Sequence, residues 1–169
     1  KICPLIRAVS TDQKCWLTPT SFLALTEHLR QLNLLQLVED LRIRVSINQG
    51  DSQLRLSSFP NLRVLKIECD SGYAVIHQQP KCLLLVNEVA RLHRLRSLSS
   101  TALVTVPPYA AEMHFSGSHL EIIKSMEWLE ELILINFDLS QVSLDQLNYA
   151  MPLITDLSSV QDPINSASC

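Results

Sequence analysis

The sequence predicts an α/β chain in which short parallel strands, in sequence order, alternate with helices or loops. Three observations predict it. One apolar spacing, of three, three and two residues, recurs along the chain. The recurrences lie 24–34 residues apart, the period of repeat architectures. Capped helical stretches fall between most of them.

The segment FPNLRVLKIEC (59–69) sets the pattern with Phe59, Leu62, Leu65 and Ile67. With Leu62 as position zero, the apolar residues stand at −3, 0, +3 and +5. Upstream, CPLIRAVST (3–11) supplies Cys3, Ile6, Val9 and Thr11, and LQLVEDLRI (35–43) supplies Leu35, Val38, Leu41 and Ile43. Downstream, LHRLRSLSS (92–100) places Leu92, Leu95, Leu98 and Ser100, and MEWLEELIL (126–134) places Met126, Leu129, Leu132 and Leu134. MPLITDLSS (151–159) gives Met151, Ile154, Leu157 and Ser159. The zero positions are 6, 38, 62, 95, 129 and 154.

Positions +3 and +5 share one face of a strand, because strand side chains alternate. Position −3 ends a helical stretch with its side chain inward, and position 0 turns the chain toward the core. One such unit cannot bury its own apolar stripe, whereas stacked units bury each other's. Strand–crossover–strand connections are right-handed in nearly all cases. The expected architecture is therefore a right-handed coil with a curved parallel sheet of about six short strands and helices on the convex side.

The connections follow in order. TPTSFLALTEHLRQL (18–32) predicts a helix with Thr18 as N-cap, Pro19 in the first turn, and Phe22, Leu25, Leu29 and Leu32 on its inner face. NQGDSQ (48–53) reads as a loop, since the unit before Phe59 is too short and polar for a full helix. KCLLLVNEVARL (81–92) predicts a short helix. SHLEIIKSM (118–126) and SLDQLNYAM (143–151) open with the capping boxes Ser118…Glu121 and Ser143…Gln146. Residues 161–169 read as an irregular tail. The 169 residues are thus one repeat array, expected to be a piece of a longer protein whose further repeats or flanking domain cover its ends.

Composition narrows the function. Apolar residues make up 47%, enough to bury a core. A net charge of −3 offers no attractive field for nucleic acid or anionic lipid. No apolar run approaches the ~20 residues of a membrane span. The five cysteines, Cys3, Cys15, Cys69, Cys82 and Cys169, form no CxxC pair and read as buried free thiols of a reducing compartment, cytoplasmic or nuclear. Only three glycines occur, too few for phosphate-cradling loops. No GxSxG, GxxxxGK[ST], HExxH or GxGxxG is present. Cys69, His77 and Cys82 match no compact zinc spacing. His114 and His119 read as loop histidines across Gly117, and the adjacent Glu130 and Glu131 leave opposite strand faces. No catalytic residue, cofactor or metal is expected.

LxxLxI at 62–67 and LxxLxL at 129–134 resemble the strand segment of leucine-rich repeats. The helix-rich units of variable length are similar to the intracellular branch of that family, with its ribonuclease-inhibitor-like arrays and F-box-type irregular repeats. Lys14, Ser46, Asp70, Leu103, Phe137 and Asp162 stand where the family carries Asn or Cys. The resemblance implies a non-enzymatic protein-interaction module, an adaptor or substrate receptor. A ubiquitin-ligase role follows by analogy of fold alone, since no F-box segment is visible.

If +3 and +5 face the core, then +2, +4 and +6 face outward. That surface is basic at Arg42, Arg44 and Lys66, hydroxyl-rich at Ser97, Ser99 and Thr101, and apolar with one acid at Glu131, Ile133 and Ile135. Such a mixture suits a protein partner better than a phosphate backbone. Two long connections, 70–80 and 101–117, add candidate binding loops, the second carrying Tyr109. The expected contacts are Arg42, Arg44, Lys66, Glu131, Ile133 and Tyr109. The plain alternatives are a solvated strand face and loops that only cover the core. Two other classes compete: a small doubly wound α/β enzyme, whose strand order would reverse once, and a nucleic-acid-associated adaptor.

Overall fold

The computed structural model describes residues 7–11, 15–46, 54–70, 88–103, 113–114, 117–135, 137–138, 142–143, 145–146 and 156–160. The chain is α/β. Six parallel strands form one sheet: β1 (Ala8–Ser10), β2 (Asp40–Ser46), β3 (Val64–Asp70), β4 (Ser97–Leu103), β6 (Glu131–Ile135) and β8 (Asp156–Val160). Their order across the sheet is their order along the chain. A doubly wound sheet would reverse once, and no reversal occurs among the described strands. Two further strands, β5 (Met113–His114) and β7 (Phe137–Asp138), pair in parallel apart from the main sheet. The described helices are α1 (Pro19–Gln31) and α2 (Gly117–Lys124), with short 3₁₀ turns at Leu35–Leu37 and Leu56–Ser58.

The sheet register is that of the repeats. The +3 residues form one ladder across all six strands, Val9, Leu41, Leu65, Leu98, Leu132 and Leu157. From β2 to β8 the +5 residues form a second, Ile43, Ile67, Ser100, Leu134 and Ser159. Leu41, Ile43, Leu65, Ile67, Leu98, Leu132 and Leu134 are all buried, as are Val38, Leu62, Leu95 and Leu129 at position zero. Full burial of one such side chain stabilises by about 1.5–3 kcal/mol. Ser100 is only half-buried, consistent with a hydroxyl at the core boundary.

A backbone clamp recurs just before the strands. Arg7 O accepts hydrogen bonds from the N–H groups of Glu39 and Asp40 (2.8 and 3.0 Å), and Glu39 O accepts from Arg63 and Val64 (2.8 and 2.9 Å). Arg63 O accepts from Arg96 and Ser97 (2.8 and 3.0 Å), and Arg96 O accepts from Glu130 and Glu131 (2.8 and 2.9 Å). Each accepting residue stands at +1. Its carbonyl uses both lone pairs on the next unit, so neighbouring units are locked together before pairing starts.

The helices cover the +3/+5 face: Phe22 and Leu29 of α1, and Leu120 and Ile123 of α2, join the same apolar cluster as the strand leucines. Thr18 caps α1 as expected, its Oγ1 accepting from the Ser21 N–H at 3.1 Å, with Pro19 in the first turn. The helix ends differently from the sequence expectation. Leu32 is 49% exposed rather than part of the inner face. Asn33 adopts a left-handed φ of 56°, and its N–H donates to Arg30 O (2.9 Å) while the Leu34 N–H donates to Leu29 O (2.9 Å). This double closure turns the chain and buries Leu34 in place of Leu32. Inside the helix Thr26 is buried and donates its hydroxyl to Phe22 O at 2.9 Å.

Further departures are local. The helix α2 starts at Gly117, so Ser118 lies within its first turn, and the Ser118 side chain of the expected Ser118…Glu121 box lies outside the described residues. His119 is a buried helix residue, not a loop one. Part of the expected 101–117 loop is regular: β4 runs to Leu103 and Met113–His114 is a strand. Cys69 is buried as expected, but Cys15 is exposed. The Ser143–Gln146 box forms, with Gln146 Oε1 accepting from Ser143 N–H (2.9 Å) and Ser143 Oγ accepting from Gln146 N–H (3.2 Å). Glu88–Val89 is helical within the expected 81–92 helix. The rest of that helix to Asn87, the loops 48–53 and 71–80, and the tail 161–169 lie outside the described residues.

Candidate functional site

Strand alternation sends the +2, +4 and +6 side chains to the face away from the apolar cluster. Register arranges them in rows. The first row is Asp40, Val64, Ser97 and Glu131; the second is Arg42, Lys66, Ser99 and Ile133; the third is Arg44, Glu68, Thr101 and Ile135. Of the six expected contacts, Arg42, Lys66 and Ile133 therefore share one row, while Arg44 and Glu131 flank it. Tyr109 lies outside the described residues.

The charges form pairs. Arg42 grips Asp40 two residues back on its own strand, Nε donating to Oδ1 (3.1 Å) and Nη2 to Oδ2 (2.8 Å). That hydrogen bond, and then the carboxylate's charge, raise the Arg42 pKa above its ordinary value. Arg44 Nε lies 2.5 Å from Glu68 Oε2 on the neighbouring strand, and Lys66 Nζ lies 3.6 Å from Glu68 Oε1. Ser97 donates its hydroxyl to Glu131 Oε2. Ile133 and Ile135 are half-buried, with side chains on the outer face. Thr101 departs from the expected open row: it is buried, between the half-buried Glu68 and Ile135 in register.

The sequence reading gave Trp16 no role. Its ring, 37% exposed, carries the Arg44 guanidinium 5.6 Å from its centroid. It reaches Arg44 because the chain after β1 rejoins β2 further along in the same direction, Leu17 bridging Val45 in parallel and its N–H donating to Arg44 O at 2.8 Å. An aromatic two residues before the Thr18 cap was the only available signal.

A second ladder runs below the strands. Asn61 Nδ2 donates to Gln36 O (2.7 Å), and Arg94 Nη1 donates to Asn61 Oδ1 (2.7 Å). Arg96 Nη1 donates to Glu130 Oε1 at 2.7 Å across the next pair of units. Asn61 and Arg94 lie one residue before position zero and Arg96 and Glu130 one residue after it, so side chains on both sides of the turn into the strand bridge neighbouring units.

No family model, curated protein or solved structure matches the chain significantly. The chemistry must be read from the residues. Among the described residues, no group of three or more His, Cys, Asp or Glu side chains is placed to hold a metal ion. No described helix is long and apolar enough to cross a membrane. What the outer face offers is an open, fixed array of two half-exposed cations, hydroxyls and β-branched apolar groups.

Proposed function

We propose that the chain is a leucine-rich-repeat-like segment, right-handed and coiled, that binds a protein partner non-enzymatically through the outer face of its sheet. The observation that carries the reading is the strand order with its repeat-matched register, which lines up one side chain per unit into continuous outer rows. Rows of mixed chemistry on a rigid sheet suit a macromolecular surface, where charge fixes register and apolar groups supply contact area. The role is that of an adaptor or substrate-receptor segment within the cell. A ubiquitin-ligase connection remains an analogy.

Capture from cell extract with the parent protein tests it. Arg42→Glu together with Ile133→Asp should deplete the captured partners while leaving the melting profile intact, because Arg42 is exposed and Ile133 lies off the core face. Unchanged capture by the double variant would remove this face from the function.

A further inference from the structure

The second outer row also points to the chemistry of the partner, on the reading that this face binds protein. Arg42 and Lys66 stand directly opposite each other in the β2–β3 register. Like charges in that relation repel and destabilise the pair of strands. Their heads lean to opposite ends of the strands, Arg42 toward Asp40 and Lys66 toward Glu68. Glu68 is held more closely by Arg44, at 2.5 Å, than by Lys66, at 3.6 Å. The Lys66 ammonium is thus beyond normal hydrogen-bond length from its acid and keeps donors to offer. Arg42 spends Nε and one Nη2 hydrogen on Asp40, leaving its Nη1 side for a second acceptor.

We infer that this row binds an extended peptide segment of the partner that carries a carboxylate side chain and, four residues later, an apolar one. The carboxylate sits in the field of both cations and accepts from the Lys66 ammonium, which its long contact with Glu68 leaves with donors to spare. The peptide crosses the strands along the row. Strands lie about 4.8 Å apart, so Ser99 is about 7 Å, and Ile133 about 12 Å, from the midpoint between the two cations. An extended peptide advances about 3.3 Å per residue and presents alternate side chains to one side. Its residue two positions on then meets Ser99, and its residue four positions on, about 13 Å away, meets Ile133. Ile135 widens the apolar end from the adjacent row. A single carboxylate fits better than a polyphosphate, because Asp40, Glu68 and Glu131 flank the row and would repel a continuous anionic backbone.

Synthetic decapeptides with Glu, Ser and Leu at positions one, three and five of the motif, titrated into the full chain by fluorescence anisotropy, test this. The Glu peptide should bind about tenfold more tightly than its Gln counterpart, the effect of one charge-assisted hydrogen bond. Lys66→Gln should erase that preference, and Lys66→Glu should invert it so that a Lys peptide binds better, a swap no folding defect produces. Ile133→Asp should abolish the preference for Leu over Asp at the fifth position. Equal affinity for the Glu, Gln and Lys peptides overturns the inference, as does tighter binding of single-stranded DNA than of any peptide. If the peptides fail while Arg42→Glu with Ile133→Asp still depletes captured partners, the face survives and this partner chemistry does not. If capture is also unchanged, both fall.

Discussion

Truncating Leu65 is the sharpest test of the register. Its side chain is fully buried (0% exposed) and stands in the ladder between Leu41 and Leu98, both buried as well. Leu65→Ala removes apolar contacts on both sides in a sheet whose backbone cannot close the gap, so a cost of about 2–5 kcal/mol is expected. With a urea dependence of about 2 kcal/mol per molar, the unfolding midpoint should fall by about 1–2.5 M. Lys66, one residue on, points the other way and makes one long ion pair. Lys66→Ala should move stability by less than about 1 kcal/mol. Urea titrations followed by tryptophan fluorescence read the effect at two places, since Trp16 lies beside β2 and Trp128, 62% exposed, precedes β6. A one-residue slip would exchange the two faces. Comparable losses for Leu65→Ala and Lys66→Ala would therefore refute the pairing described above.

Two other outcomes follow from local geometry. Thr18→Ala removes the acceptor for the Ser21 N–H and should cost about 1 kcal/mol by urea titration, with Thr18→Ser restoring most of it; no loss would show that the cap is idle. Burial lowers the pKa of His119 below the ordinary 6.5, so the unfolded chain binds that proton more tightly than the folded one. The associated stability is complete above the unfolded value and is lost as pH falls through it toward the folded one, a decline that His119→Gln should flatten in urea midpoints taken from about pH 8 to about pH 5.

The strands and their register were legible because one chemical demand repeats. Every unit must place a side chain such as Leu41, Leu65 or Leu132 under its neighbour, and the sequence spells that demand at fixed spacing. Thr18 and the Ser143–Gln146 box were legible for a similar reason, since capping is local. Leu32 was misread because helical spacing continues through it, whereas the left-handed Asn33 ends the helix and hands its buried place to Leu34. His119 was misread because Gly117 suggested a break and instead begins α2. On the outer face, alternation named the residues, but not their partners. That Arg42 turns to Asp40 while Arg44 crosses to Glu68 and Trp16 depends on side-chain reach across strands distant in sequence.

The paired hydrogen bonds at each +1 carbonyl have a consequence for how such a chain tolerates change. Alignment is settled upstream of the strands, at Glu39, Arg63 and Arg96, before any connection of variable length is met. Extra residues spliced in after a strand would lengthen one winding without shifting its neighbours. One residue spliced in between Leu62 and Val64 would instead throw the side chains of β3 onto the wrong side. Growth and loss of sequence are thereby channelled to one rim of the molecule, leaving the opposite rim as its ruler.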